Sequence, residues 1–304
     1  KNIQLAFHFI SDESFSGEGW FVKNLKIKRS IYENKLNRLN SAFSSTSMKS
    51  SSETGLSGTL SSLNSQNFPY IYMNVLLSED GVGVSNLVKQ DFKVYEDDVL
   101  VSDYNVVPPN ASSGSKLVDI VFLVDNSGSF DDEQNAVRNN MEDFVNQLSA
   151  SGNDFALGLC RFGQNTQQGY PILEDNGQLT NNTDYFKNTV WLRNVTNGSI
   201  EVGYNAIVKS AQGFNFRPGS QKIFIILTDE TPDQGGSTKT EATDACLNNY
   251  ITLFAMTNYD SKGLNDIATA TNGRYYNITD PFNDILSDIT SSVNNSYLIS
   301  YKSP

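Results

Sequence analysis

Val118-Asp119-Ile120-Val121-Phe122-Leu123-Val124-Asp125-Asn126-Ser127-Gly128-Ser129 is the stretch whose reading decides the fold. Its first part is nearly all apolar and does not alternate. That is the pattern of a strand buried on both faces, as in a parallel sheet covered on either side by helices. The apolar run stops at Asp125 and a short polar loop follows. Apolar residues then recur at helical spacing, Ala136, Val137, Met141, Phe144, Val145 and Leu148, over roughly 132–148.

The same texture continues downstream. A strand is predicted at 154–162, a helix at about 201–213, and a second buried strand at Lys222-Ile223-Phe224-Ile225-Ile226-Leu227. Beyond it come a helix near 238–248, a strand at 250–256, a helix near 261–270, a short strand at 274–278 and a helix near 281–293. Strands alternating with helices at this spacing argue an α/β doubly wound parallel sheet of Rossmann-like type. Ligands of such sheets bind outside the carboxyl ends of the strands, at the point where the strand order reverses. The first strand ends at Asp125 and the central one at Asp229, so chemistry is sought there.

Alternate residues of an extended loop share a side, which gathers Asp125, Ser127 and Ser129. One carboxylate and two hydroxyls are hard oxygen ligands, suited to Mg²⁺ or Mn²⁺, or to Ca²⁺, rather than to zinc. Asp229, in Thr228-Asp229-Glu230, reaches the same point from the neighbouring strand. Glu201 opens the following helix after the turn-rich segment Thr196-Asn197-Gly198-Ser199 and can supply a third acid. Acids gathered at one point repel each other, so a cation among them is physically reasonable.

Val121-Phe-Leu-Val-Asp125-Asn-Ser127-Gly-Ser129 resembles the opening of a von Willebrand factor A-type domain with its metal-ion-dependent adhesion site. Ser199-Ile-Glu201-Val-Gly203-Tyr-Asn-Ala206-Ile resembles the matching segment of integrin beta chains, where a glutamate replaces the commoner threonine. Ile225-Ile-Leu-Thr228-Asp229 resembles the family's fourth motif. The resemblance spans about residues 117–295 and implies a metal held by Asp125, Ser127, Ser129, Glu201 and Asp229. If Glu201 is not the middle-loop ligand, Thr196 or Ser199 takes its place. Asp132 and Glu133 fall where integrin beta chains hold a second, adjacent ion; acids in a helix's first turn also simply favour the helix dipole. The resemblance further implies a protein partner whose acidic side chain completes the metal's coordination, on a secreted or cell-surface protein, with a bacterial envelope as the setting.

Upstream the chain reads as an all-β, sandwich-like region. Residues 1–34 are strands, and Ser11-Asp-Glu-Ser-Phe-Ser-Gly-Glu-Gly-Trp20 resembles the closing hairpin of jelly-roll domains. Residues 35–67 are Ser/Thr/Gly-rich and read as a linker or long loop. Residues 68–115 return to strands, and Asp91-Phe-Lys-Val-Tyr-Glu96 resembles the small β-domain that precedes A-type domains in bacterial envelope proteins. The strand Ser296-Tyr-Leu-Ile-Ser-Tyr-Lys302 is expected to leave the A-type domain (116–295) and pair with the strands of 68–107. The A-type domain would then be an insertion in a β-sandwich completed by 296–304.

Composition narrows the function classes. The chain has 304 residues, 34 of them acidic and 22 basic, for a net charge of −12. Nucleic acid and anionic membrane surfaces repel so acidic a chain. It contains no apolar run of about 18 residues, the length needed to span a bilayer, and any export signal would lie outside it. Cys160 and Cys246 read as two buried free thiols. The lone His8 sits in a strand, so neither a catalytic triad nor a His-ligated zinc site has its residues. No nucleophile–base pair accompanies Ser127, which leaves a metal-dependent hydrolase the weakest of three readings. The others are a metal-dependent adhesion module and a self-assembling structural subunit stiffened by a metal.

Overall fold

The structure is a computed structural model of the chain. It describes residues 2–9, 22–30, 56–64 and 68–303, apart from 80–81, 97–98, 110–115, 130, 151, 164–169, 194–201, 234, 259–262 and 272. The jelly-roll-like phrase at 11–20 and most of the Ser-rich run therefore lie outside the described residues.

The first part is built of strands. β1 (Asn2–Phe9) and β2 (Val22–Ser30) pair antiparallel. β3 (Leu56–Asn64), β4 (Tyr70–Glu79), β5 (Val82–Gly83), β6 (Val94–Glu96), β7 (Val99–Val101) and β8 (Tyr104–Val107) follow. β3 corrects the expectation of an unbroken linker over 35–67. The Ser-rich composition misled because an edge strand needs only backbone pairing on one side, which β4 supplies, plus Leu60 packed against the core beneath.

The second part alternates strands and helices. β9 (Leu117–Val124), α1 (Asp131–Ala150), β10 (Asp154–Arg161) and β11 (Ile172–Leu173) come first. A single turn, α2 (Thr183–Tyr185), leads into irregular helical turns up to Arg193. Then come α3 (Gly203–Gly213), β12 (Gln221–Thr228), α4 (Lys239–Asn248), β13 (Ile251–Thr257), α5 (Leu264–Ala270), β14 (Tyr275–Asn277), α6 (Phe282–Asn294) and β15 (Ser296–Lys302).

Six strands form one sheet in the order β11-β10-β9-β12-β13-β14, parallel except for β11, which runs against β10. β9 shows why its sequence does not alternate. Ile120, Phe122 and Val124 enter a core with α1 and α6, through Phe144, Leu148, Ile285 and Ile289. Val121 and Leu123 enter the opposite core, with Ile207 of α3, Cys246 of α4 and Ile267 of α5. Both faces are dry, so both sets must be apolar. Cys160 and Cys246 are buried and free, and burial pushes the Cys160 thiol up to about 12.

The polar exception in β9 is Asp119, fully buried near the strand's beginning. Its carboxylate accepts from Arg217 Nε at 2.6 Å, from the Arg217 backbone N–H at 2.7 Å and from Ser220 Oγ at 2.8 Å. The ion pair closes the end of the sheet remote from Asp125.

β15 does not join the parallel sheet. It lies between β4 and β8, antiparallel to both, in a second sheet ordered β3-β4-β15-β8. Its inward residues Tyr297, Ile299 and Tyr301 share a core with Met73, Val75, Phe92 and Val94. The two crossings between the sheets are tied together: the buried ammonium of Lys116, just before β9, donates to the carbonyls of Asn294, the last residue of α6, and Ser296, the first of β15. Among the described residues no helix is long and apolar enough to cross a membrane.

Candidate metal centre

β9 is the first strand of the parallel sheet and lies between β10 and β12, so the chain winds outward from it in both directions. The crevice beyond the ends of β9 and β12 is the switch point of the sheet. Asp125 leaves β9 there, its backbone N–H donating to Leu227 O of β12 at 2.9 Å. One residue later in β12, the Thr228 hydroxyl donates to Asp125 Oδ2 at 2.7 Å. Asp125 Oδ1 accepts from the Ser127 N–H at 2.8 Å, which folds the loop over the carboxylate. Ser127 Oγ and Ser129 Oγ stand 3.2 Å apart. Asp125 and Ser127 are buried, while Ser129 is exposed at the loop's outer end.

The loop is pinned from three sides. Gln134 of α1 is buried and donates through Nε2 to Asp125 O at 2.8 Å. Asn126 Oδ1 accepts from the Gly163 N–H, just past β10, at 2.6 Å. Asn126 Nδ2 donates to Tyr170 Oη at 3.3 Å. Gly163 is needed for this closeness: a Cβ there would lie 2.7 Å from Asp125 Oδ1 and well inside contact distance of the Ser127 nitrogen.

Electrostatics favour a positive charge here. Burial pushes the Asp125 carboxyl up to about 6, against the pull of its Ser127 and Thr228 hydrogen bonds, and nearby Asp229 raises it further. Asp229 Oδ1 is itself buried with no hydrogen-bond partner. An acceptor taken out of water and left unmatched is costly. The two carboxylates and two hydroxyls together form an oxygen-only donor set, which suits a hard divalent cation.

A family model described as von Willebrand factor type A domain matches residues 119–292, more than half of the chain. The chain belongs to the von Willebrand factor type A family. No curated protein matches it. Among solved structures, proximal thread matrix protein 1 from the mussel byssus is 13% identical with a TM-score of 0.50, covering 66% of this chain and 51% of its own. A structure of the same mussel protein with a zinc-occupied MIDAS motif is 15% identical, also at a TM-score of 0.50, over 71% of this chain and 57% of its own. A von Willebrand factor type A protein from Catenulispora acidiphila is 16% identical at a TM-score of 0.45, over 78% and 49%. The chain thus spans about half the length of these solved structures.

Set on the A-type fold, the sequence-predicted residues fall into three groups. Asp125, Ser127, Ser129 and Asp229 stand at the ends of β9 and β12. Glu201, Thr196 and Ser199 lie outside the described residues, just before α3. Asp132 sits exposed in the first turn of α1, and Glu133 follows it. Among the described residues no group of three or more His, Cys, Asp or Glu side chains gathers as a metal site would. Thr228, Gln134 and Gly163 went unread as site residues. Thr228 had a signal, since a polar residue closes an otherwise apolar strand; Gln134 and Gly163 touch the loop only through the fold.

Proposed function

We propose that this chain binds a protein partner through a divalent cation, Mg²⁺ or Mn²⁺, held at the ends of β9 and β12 by Asp125, Ser127, Ser129 and Asp229, with Glu201 as the middle-loop ligand. A-type domains are in general protein-interaction modules. The observation that carries the metal is the unmatched Asp229 Oδ1, a buried atom of a half-buried residue, near the fully buried Asp125. When bound, the cation supplies an electrophilic position for an acidic group of the partner.

The chain's own residues set how strongly that group is taken. Ser127 and Ser129 are neutral donors, so they leave more of the cation's charge uncompensated than carboxylates would. Glu201 works the other way by adding charge. The hydrogen bonds from Thr228 and the Ser127 N–H fix both Asp125 oxygens, so its direction toward the crevice is set before any ligand arrives. The mussel protein of the same fold carries a zinc-occupied MIDAS motif, which is in keeping with a cation at this place.

Water-proton relaxation in the presence of Mn²⁺ tests both halves of the reading. Addition of the chain should enhance relaxation as Mn²⁺ binds, and acetate, as a minimal carboxylate, should then reduce the enhancement by displacing water. No enhancement with the wild-type chain would overturn the metal site; enhancement that acetate leaves untouched would overturn the carboxylate-binding role.

A further inference from the structure

A network behind the crevice converges on one buried acid, Glu174, in the turn after β11. Glu174 Oε1 accepts from Arg161 Nε at 2.6 Å, and Oε2 accepts from Arg193 at 3.1 Å. Arg161 is the last residue of β10 and reaches onward: its other nitrogen donates to Tyr170 Oη at 3.2 Å. The same hydroxyl accepts from Asn126 Nδ2, inside the Asp125-Asn126-Ser127 loop. Arg193 is the residue immediately before 194–201, the segment that carries Thr196, Ser199 and Glu201. Glu174 is therefore linked through Arg161 and Tyr170 to the loop holding the first ligands.

The turn around Glu174 is built to hold it still. Asp175, Asn176 and Gly177 follow one another in left-handed backbone, at φ values of 50°, 55° and 76°. Left-handed runs are unfavourable for side-chain-bearing residues, and Asp and Asn are among those that tolerate them best. Asp175 is fixed in turn by Arg193 at 2.5 Å and by the Tyr185 hydroxyl at 2.9 Å. Such a turn over-determines the position of one carboxylate that meets two guanidinium groups from separate elements.

We infer that Glu174 is a positioning residue for the metal centre, acting on Asn126 through Arg161 and Tyr170. The inference rests on the metal-binding reading above. Residues behind a metal's ligands that orient them typically alter affinity about 10–100-fold when replaced.

Calorimetric titration of the chain with Mn²⁺ tests it, using wild type, Glu174→Gln and Tyr170→Phe. Glu174→Gln should weaken Mn²⁺ binding about tenfold, while melting in the presence of chelator shows the fold retained. Tyr170→Phe leaves both salt bridges of Glu174 in place and removes the hydroxyl that joins Arg161 to Asn126; it should weaken binding in the same direction. If Glu174→Gln does not fold, Tyr170→Phe alone decides. Wild-type affinity in every folded variant would overturn the positioning role while leaving the metal site standing. Failure of the wild type itself to bind Mn²⁺ would instead overturn the metal site, and this role with it.

Discussion

Thr228 Oγ1 donates to Asp125 Oδ2 at 2.7 Å across the ends of two neighbouring parallel strands. One hydroxyl thereby orients the carboxylate on which the crevice is built and also accepts the Glu230 N–H at 3.2 Å. Thr228→Val keeps the shape and loses both bonds. It should weaken Mn²⁺ or Mg²⁺ binding about tenfold or more while the chain stays folded, as measured by calorimetry together with thermal melting under chelator.

Gly163 guards the same loop by its lack of a side chain. In Gly163→Ala the new methyl would press on Asp125 Oδ1, 2.7 Å away, and on the backbone of Ser127. The loop has to shift against the hold of Gln134 on the Asp125 carbonyl. Metal affinity should fall at least about tenfold, more than in Gly83→Ala, whose added Cβ meets nothing within 4 Å.

Asp119 serves stability at the opposite end of β9. Asp119→Ala would leave Arg217 without its buried partner and the Ser220 hydroxyl without its acceptor. Arg217 keeps its outer pair with Asp154, so the cost is that of the unmatched Ser220 hydroxyl and Arg217 N–H, about 1–3 kcal/mol. Urea unfolding should show that loss. Because the site lies at the far end of the strand, protein that remains folded should bind metal as the wild type does.

Lys222 gives a pH dependence whose sign is fixed. Its buried ammonium donates to Asn249 O at 3.1 Å and lies 5.1 Å from the centre of the Phe216 ring. Burial pushes it down from 10.5 to about 8, with Asp119 pulling the other way. Between these values the unfolded chain holds the proton and the folded chain does not, so stability from this group rises with pH. Compared with Lys222→Met, the wild type should gain on the order of 2 kcal/mol between about pH 7.5 and pH 10, read from unfolding at each pH.

The α/β core was legible because burial on both faces writes itself into sequence. Val121 and Phe122 point to opposite cores, yet both must be apolar, so β9 and β12 stand out as unbroken runs. The helices show by their spacing alone. β3 was missed because Leu56–Asn64 is an edge strand, stabilised by backbone bonds to β4 that no residue type advertises. The turn at Glu174 and the helical turns from Thr183 to Arg193 were missed for a related reason: they are held by Arg161 and Arg193 across the fold rather than by local periodicity.

The crevice divides in the same way. Asp125, Ser127 and Ser129 are close in sequence, so their gathering follows from an extended loop. Asp229 follows from the rule that parallel strands end together at a switch point. Gln134, Gly163 and Tyr170 reach that loop from α1, from beyond β10 and from the segment before β11, and only the folded chain shows them meeting.

The central claim is a divalent cation held between Asp125 and Asp229. Electron paramagnetic resonance of free Mn²⁺ during titration with the chain measures it most directly. Wild type should remove one equivalent of Mn²⁺ from solution, and Asp125→Ala and Asp229→Ala, each folded by circular dichroism, should remove little or none. Mn²⁺ left free by the wild type, or bound as tightly by both variants, would contradict it.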